Sequence, residues 1–175
     1  STPIKSSAAS DVYKRQIVSK LAVVCLTAVV AIGGVSAPAS AKSKGYVFKY
    51  KGVSVTMNGA AKKLIKKAGK PSKKTVKKSC AYKGKDRTYT YKDFQLKTYS
   101  KTNNGAEYVS EIRFRSNKAV TKEGIRIGSS LKAVTKKYGK AKARFGVYTF
   151  KKGSSKLQIM LNGNKVSAIR YFASK

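Results

Sequence analysis

The sequence predicts an α+β fold. It reads as a tandem duplication of a helix plus a three-strand antiparallel meander, with the helices packed on a curved antiparallel sheet and an extra N-terminal hairpin. Three observations predict it. First, Met57–Pro71 (MNGAAKKLIKKAGKP) and Ile127–Ala141 (IGSSLKAVTKKYGKA) align without a gap, both with helical apolar spacing and a glycine stop. Second, the segments that follow them also match: Tyr89-Thr90-Tyr91 with Tyr148-Thr149-Phe150, and VSEIRF from Val109 with VSAIRY from Val166. Third, those segments alternate apolar and polar residues with the period of a half-buried strand.

Taken in order, residues 1–16 read as an artefactual or disordered extension, lacking hydrophobic periodicity. Residues 17–41 read as a signal peptide. Lys20 is the positive flank, Leu21–Val35 an uncharged apolar run, and Ala39 and Ala41 the small residues of an A-x-A cleavage box. The run is shorter than the roughly 20 apolar residues a membrane-spanning helix needs. Residues 42–115 then form repeat 1 and residues 116–175 repeat 2.

Repeat 1 begins with YVFKYKGVSVTM, a hairpin turning at Lys51-Gly52. Its helix carries the apolar stripe Ala61, Leu64, Ile65 and Ala68; the second helix carries Leu131, Val134 and Tyr138. Asn58 or Ser129 caps the first turn, and Gly69 or Gly139 ends the last. Repeat 1 also has an insertion between helix and sheet, bearing Lys73, Lys74, Lys77, Lys78 and Cys80. In the meanders, Phe94 and Leu96, Ile112 and Phe114, Leu157, Ile159 and Leu161, and Ile169 and Tyr171 each point to one side. Asn103–Gly105 and Asn162–Asn164 supply turns, and polar Ser116–Gly124 links the units.

The charge is extreme: 40 Lys and Arg against 6 Asp and Glu, a formal net charge of +34. A small domain needs only about 2–8 units for solubility, and self-repulsion on this scale favours a polyanionic environment. Only seven of the cations are Arg. Lysine acts as a hydrated point charge rather than a bidentate fork, so salt-sensitive attraction is expected and sequence-specific readout is not. The expected polyanion contacts are Lys62, Lys63, Lys66, Lys67 and Lys70 on the first helix, the insertion lysines Lys73, Lys74, Lys77 and Lys78, and Lys132, Lys136, Lys137 and Lys140 on the second helix. A second candidate surface is a basic, aromatic sheet face made of Tyr89, Tyr91, Lys97, Tyr99, Arg113 and Arg170.

Chemistry for catalysis is sparse. There is no histidine, so the usual general base and the commonest metal ligand are missing. Beyond residue 41 the carboxylates are Asp86, Asp93, Glu107, Glu111 and Glu123, with no spacing that pairs two of them as an acid and a base. Cys80 is the single cysteine of that region and reads as a small buried hydrophobe. No enzyme, metal site or cofactor is expected.

The helix start Ile127-Gly128-Ser129, the apolar Val134, the stop at Gly139 and the meander Leu157–Tyr171 together resemble the β-lactamase inhibitory protein fold, which SmpA/OmlA outer-membrane lipoproteins share. The whole chain also resembles small secreted proteins of gut clostridia. The resemblance implies a tandem α/β module that binds protein through its sheet, and carries over no inhibitory residue.

The expected function is a secreted, non-enzymatic binding module attracted to an anionic cell-wall polymer, such as teichoic acid of a Gram-positive bacterium. An inhibitor-like or adhesive protein-binding module using the sheet face is the alternative. A membrane-active cationic protein ranks third, because the helices are too short and too weakly apolar to insert. Non-specific nucleic acid binding in vitro is expected, and stable membrane insertion after signal cleavage is not.

Overall fold

A computed structural model of the chain describes residues 45–174. The extension, the signal peptide and its cleavage residues Ala39 and Ala41 lie outside the described residues.

Among the described residues the architecture is dominated by sheet, with 48% in strands, 12% in helix and only two helices. This corrects the α+β expectation of helices packed on a sheet. A two-stranded hairpin comprises β1 (Val47–Tyr50) and β2 (Val53–Thr56). The seven-stranded antiparallel sheet contains β3 (Lys73–Lys78), β4 (Lys85–Thr90), β5 (Phe94–Ser100), β6 (Glu107–Phe114), β7 (Val147–Lys152), β8 (Ser155–Asn162) and β9 (Lys165–Ala173). Its spatial order is β3-β4-β5-β6-β9-β8-β7, so β6 and β9 meet at the centre and β3 and β7 are the edges. The helices are α1 (Lys62–Ala68) and α2 (Leu131–Tyr138). No helix among the described residues is long and apolar enough to cross a membrane.

The reason for the correction is size. A helix rises about 1.5 Å per residue, so seven or eight residues reach only about 12 Å. Seven strands spaced about 4.8 Å apart are about 29 Å wide. Each helix contributes one fully buried residue of its own, Leu64 or Val134. Other segments cover the sheet. Phe48 of the hairpin is wholly buried, with ring centroids 5.2 Å from Phe94, 5.6 Å from Phe114 and 6.4 Å from Tyr171. Val55 and Met57 extend that cover. The segment expected as a polar linker, Ser116–Gly124, is packed as well: Ala119 and Thr121 are buried, as is Ile125 just beyond it, and Thr121 bridges to Phe48.

Local chemistry explains why the first helix is shorter than its periodicity suggests. Asn58 sits at φ +60° and Ala60 bridges to Tyr108, so residues before Ala61 run along the sheet rather than coil. The cap residue is Ala61, without a side-chain cap bond. In α2 the cap is Ser130, one residue beyond the expected Ser129; its Oγ accepts from Ala133 N at 3.2 Å. The expected insertion is strand β3, an edge whose lysines discourage pairing with another chain.

The inner face of the sheet carries Phe94, Leu96, Ile112, Leu157, Ile159, Ile169 and Tyr171, all fully buried. At roughly 1.5–3 kcal/mol for each large side chain, this face is the main source of stability. Fixing it in place leaves the alternate residues of every strand pointing to the opposite, outer face.

Candidate functional site

On that outer face, cross-strand pairing builds one continuous row. Thr149 pairs with Gln158, Gln158 with Arg170, Arg170 with Arg113, Arg113 with Gln95, Gln95 with Thr90, and Thr90 with Lys73. Directly opposed residues of antiparallel strands share a face. The row therefore crosses every strand and spans about 29 Å. It reads Thr-Gln-Arg-Arg-Gln-Thr-Lys, nearly a palindrome about the junction of β6 and β9. Local bonds order it: Gln95 Nε2 donates to Thr90 Oγ1 at 3.3 Å, and Gln158 Nε2 donates to Thr149 Oγ1 at 3.3 Å. Arg170 Nη2 donates to Gln158 Oε1 at 3.0 Å.

Beside the central arginines lies Glu111, paired with Lys97 across β5 and β6. Lys97 Nζ is 3.2 Å from its Oε2, Arg113 Nε 3.8 Å from its Oε1, and Arg170 Nη1 4.0 Å from its Oε2. One carboxylate thus serves three cations, leaving two positive charges uncompensated within the cluster. Glu111 Oε1 is buried without a hydrogen bond, held only by the Coulomb contact to Arg113. Of the expected sheet-face residues, Lys97, Arg113 and Arg170 therefore meet around one point.

The tyrosines divide. Tyr89 and Tyr91 are each only 4% exposed and belong to the core, which removes both from the expected binding face. The Tyr91 hydroxyl is buried without a hydrogen-bond partner among the described residues, whereas that of Tyr89 is bonded. Tyr89 Oη donates to both oxygens of Glu107, at 3.0 and 2.9 Å. Thr98 Oγ1 donates to Glu107 Oε2 at 2.7 Å, and Arg87 Nε lies 3.5 Å from Glu107 Oε1. Burial, then the Glu107 carboxylate, pushes the Tyr89 phenol well above its ordinary pKa. Burial and then Glu107 likewise raise Tyr91.

Tyr99 instead joins an aromatic ladder. Its ring centroid is 5.1 Å from Tyr82, nearly parallel, and 5.6 Å from Tyr108. Burial first, then the two neighbouring phenols, raises the Tyr99 pKa. Tyr82 is 44% exposed. Neither Tyr82 nor Tyr108 was expected in the site. Their signal was weak: Tyr82 stands in the turn between β3 and β4, and the register of Tyr108 on β6 could be assigned only once the sheet order was known.

The lysines expected to meet a polyanion all lie exposed: Lys62, Lys63, Lys66, Lys67 and Lys70 on and after α1, and Lys132, Lys136, Lys137 and Lys140 on and after α2. Lys73, Lys74, Lys77 and Lys78 project from β3. Lys73 ends the outer row, while Lys74 belongs with Tyr89 and lies 5.4 Å over its ring. Lys77 and Lys78 join Lys83 and Lys85 around a shallow recess of about 400 Å³. Cys80 is exposed, which corrects the expectation of a buried hydrophobe. The turns around it, rather than the strand, carry it.

The arrangement offers hydrogen-bond donors and positive charge along an extended line. No family model, curated protein or solved structure matches the chain.

Proposed function

We propose that the protein is a non-enzymatic module that binds an extended anionic polymer. In this reading the outer sheet face seats the polymer, and the lysines of β3, α1 and α2 draw it in. The observation that carries the reading is the seven-residue outer row, about 29 Å long, with Arg113 and Arg170 paired at its centre. A line of donors crossing every strand fits a polymer that lies across the sheet better than a compact ligand. The lysine excess adds salt-dependent, sequence-independent attraction.

In this reading the chain is secreted, teichoic acid is the polymer and the bacterial cell wall the location. The test is binding of the full chain to purified walls, with and without teichoic acid, over a salt series. Loss of binding on teichoic acid removal, with release at moderate salt, is expected. Binding that persists at roughly 0.5 M salt, where screening acts over a few ångströms, contradicts the reading.

A further inference from the structure

A groove of about 730 Å³ lies on the outer face beside β7, β8 and β9, under the turn that precedes β7. Met160 and Ala168 form its floor, facing Val147 across the strands. Arg113, Arg144, Arg170 and Lys142 line it with positive charge. Its volume falls in the usual range of small-molecule sites, roughly 300–1,000 Å³.

The opposite half of the sheet lacks such a floor. Two residues from the Arg113–Arg170 pair, the positions matching Met160 and Ala168 hold Lys97 and Glu111, joined as an ion pair at 3.2 Å. The surface is thus filled by paired charges on one side of the central arginines and apolar on the other. Met160 remains 45% exposed.

The overhanging turn supplies an independent observation. Arg144 and Val147 exchange backbone hydrogen bonds, at 3.1 and 3.0 Å, around the two residues Phe145 and Gly146. Both have positive φ, +51° and +72°. Such two-residue turns favour Asn or Asp before Gly, because a bulky side chain at positive φ is strained. Phe145 gains no burial in return, being 98% exposed. A strained aromatic ring held in water at the mouth of a cationic groove is a feature the fold itself does not use.

We propose that this groove binds a free phosphate monoester carrying an aromatic or short aliphatic body. The arginine forks match the phosphate oxygens, and the body lies on Met160 and Ala168 against the Phe145 ring. This goes beyond the polymer reading, because it requires apolar surface adjoining the anion and involves no lysine of the helices.

The test is calorimetric titration of the full chain with phenyl phosphate, inorganic phosphate and phenyl glucoside at about 0.15 M salt. Phenyl phosphate is expected to bind one to one and roughly tenfold tighter than inorganic phosphate, the gain from burying about one ring face. Phenyl glucoside is expected not to bind. Phe145→Asn restores the favoured turn residue, so its melting temperature should hold or rise while the preference for phenyl phosphate disappears. Arg144→Gln should weaken both phosphates. The groove shares Thr149, Gln158, Arg170 and Arg113 with the outer row, so teichoic acid binding should survive Phe145→Asn, separating the apolar subsite from the shared anion contacts. Equal affinity for the two phosphates overturns the proposal, and the unmodified chain alone decides that if a variant fails to fold. Phenyl phosphate selectivity unchanged in Phe145→Asn also overturns it. So does a Phe145-dependent interaction found only with phosphatidylglycerol vesicles, which would assign the ring to a membrane surface.

Discussion

Replacing Glu111 by Gln is expected to weaken the fold and strengthen ligand binding at once. The Glu111 side chain is 14% exposed, and its partners Lys97, Arg113 and Arg170 are 43%, 52% and 34% exposed. With cations this accessible, each pair is worth the screened surface value, roughly 0.2–1 kcal/mol. Only Lys97 is within hydrogen-bond distance, so the loss should total about 1 kcal/mol and lower the melting temperature by about 3–5 °C. The same change exposes one more uncompensated positive charge on the outer face. If the polymer lies there, the slope of log affinity against log salt should steepen by roughly 0.7–0.9, the increment for one additional neutralised phosphate. Thermal unfolding by circular dichroism and a salt series of teichoic acid binding read the two effects separately. A folded Glu111→Gln protein with unchanged or weaker binding would refute the placement of the polymer on this face.

Other perturbations test the fold and its edges. Leu64→Ala removes the one fully buried residue of α1 and should cost about 2–5 kcal/mol, measured by denaturant unfolding. Replacing Lys74 and Lys78 by Thr on β3 should promote self-association, seen by light scattering, since charged side chains protect that edge from pairing. At high pH the buried phenols of Tyr89 and Tyr171 and the partly buried phenol of Tyr138 resist ionisation, mainly through burial, so their folded pKa values lie above the unfolded value near 10. Their stabilisation is complete below about pH 10 and is lost as the pH rises through the folded values. Part of the tyrosinate absorbance should therefore appear only together with loss of near-ultraviolet circular dichroism.

The strands were the legible part of this molecule, and the reason is physical. Phe94 with Leu96, Ile112 with Phe114, and Leu157 with Ile159 alternate with polar neighbours because one sheet face is buried and the other is not. The weight of helix was not legible. Met57–Pro71 has helical spacing throughout, but Asn58 at positive φ and the Ala60–Tyr108 bridge keep its first residues out of the helix, which spans only Lys62–Ala68. Strand β3 was hidden for the opposite reason: KKTVKK has no apolar alternation, since an edge strand is protected by charge rather than by burial.

Side-chain placement in the candidate site was legible only in part. Arg113 and Arg170 were recognisable from the matching VSEIRF and VSAIRY segments, but their pairing depends on β6 meeting β9, a long-range contact that no local pattern encodes. Tyrosine was the ambiguous residue. Tyr89 and Tyr99 are chemically identical, yet one reaches Glu107 in the core and the other stacks on Tyr82. An amphipathic ring suits either face, so only the sheet register separates them. The groove under Phe145 depends on a turn and a floor that lie on different strands.

The most direct measurement compares two double variants of equal net charge in teichoic acid binding. Arg113→Gln with Arg170→Gln removes two charges from the centre of the outer row, and Lys66→Gln with Lys137→Gln removes two from the helices. Provided both remain folded by circular dichroism, the arginine pair should lose affinity several-fold more than the lysine pair. Equal losses would mean that net charge alone governs binding, and would contradict a dedicated seat on the outer face.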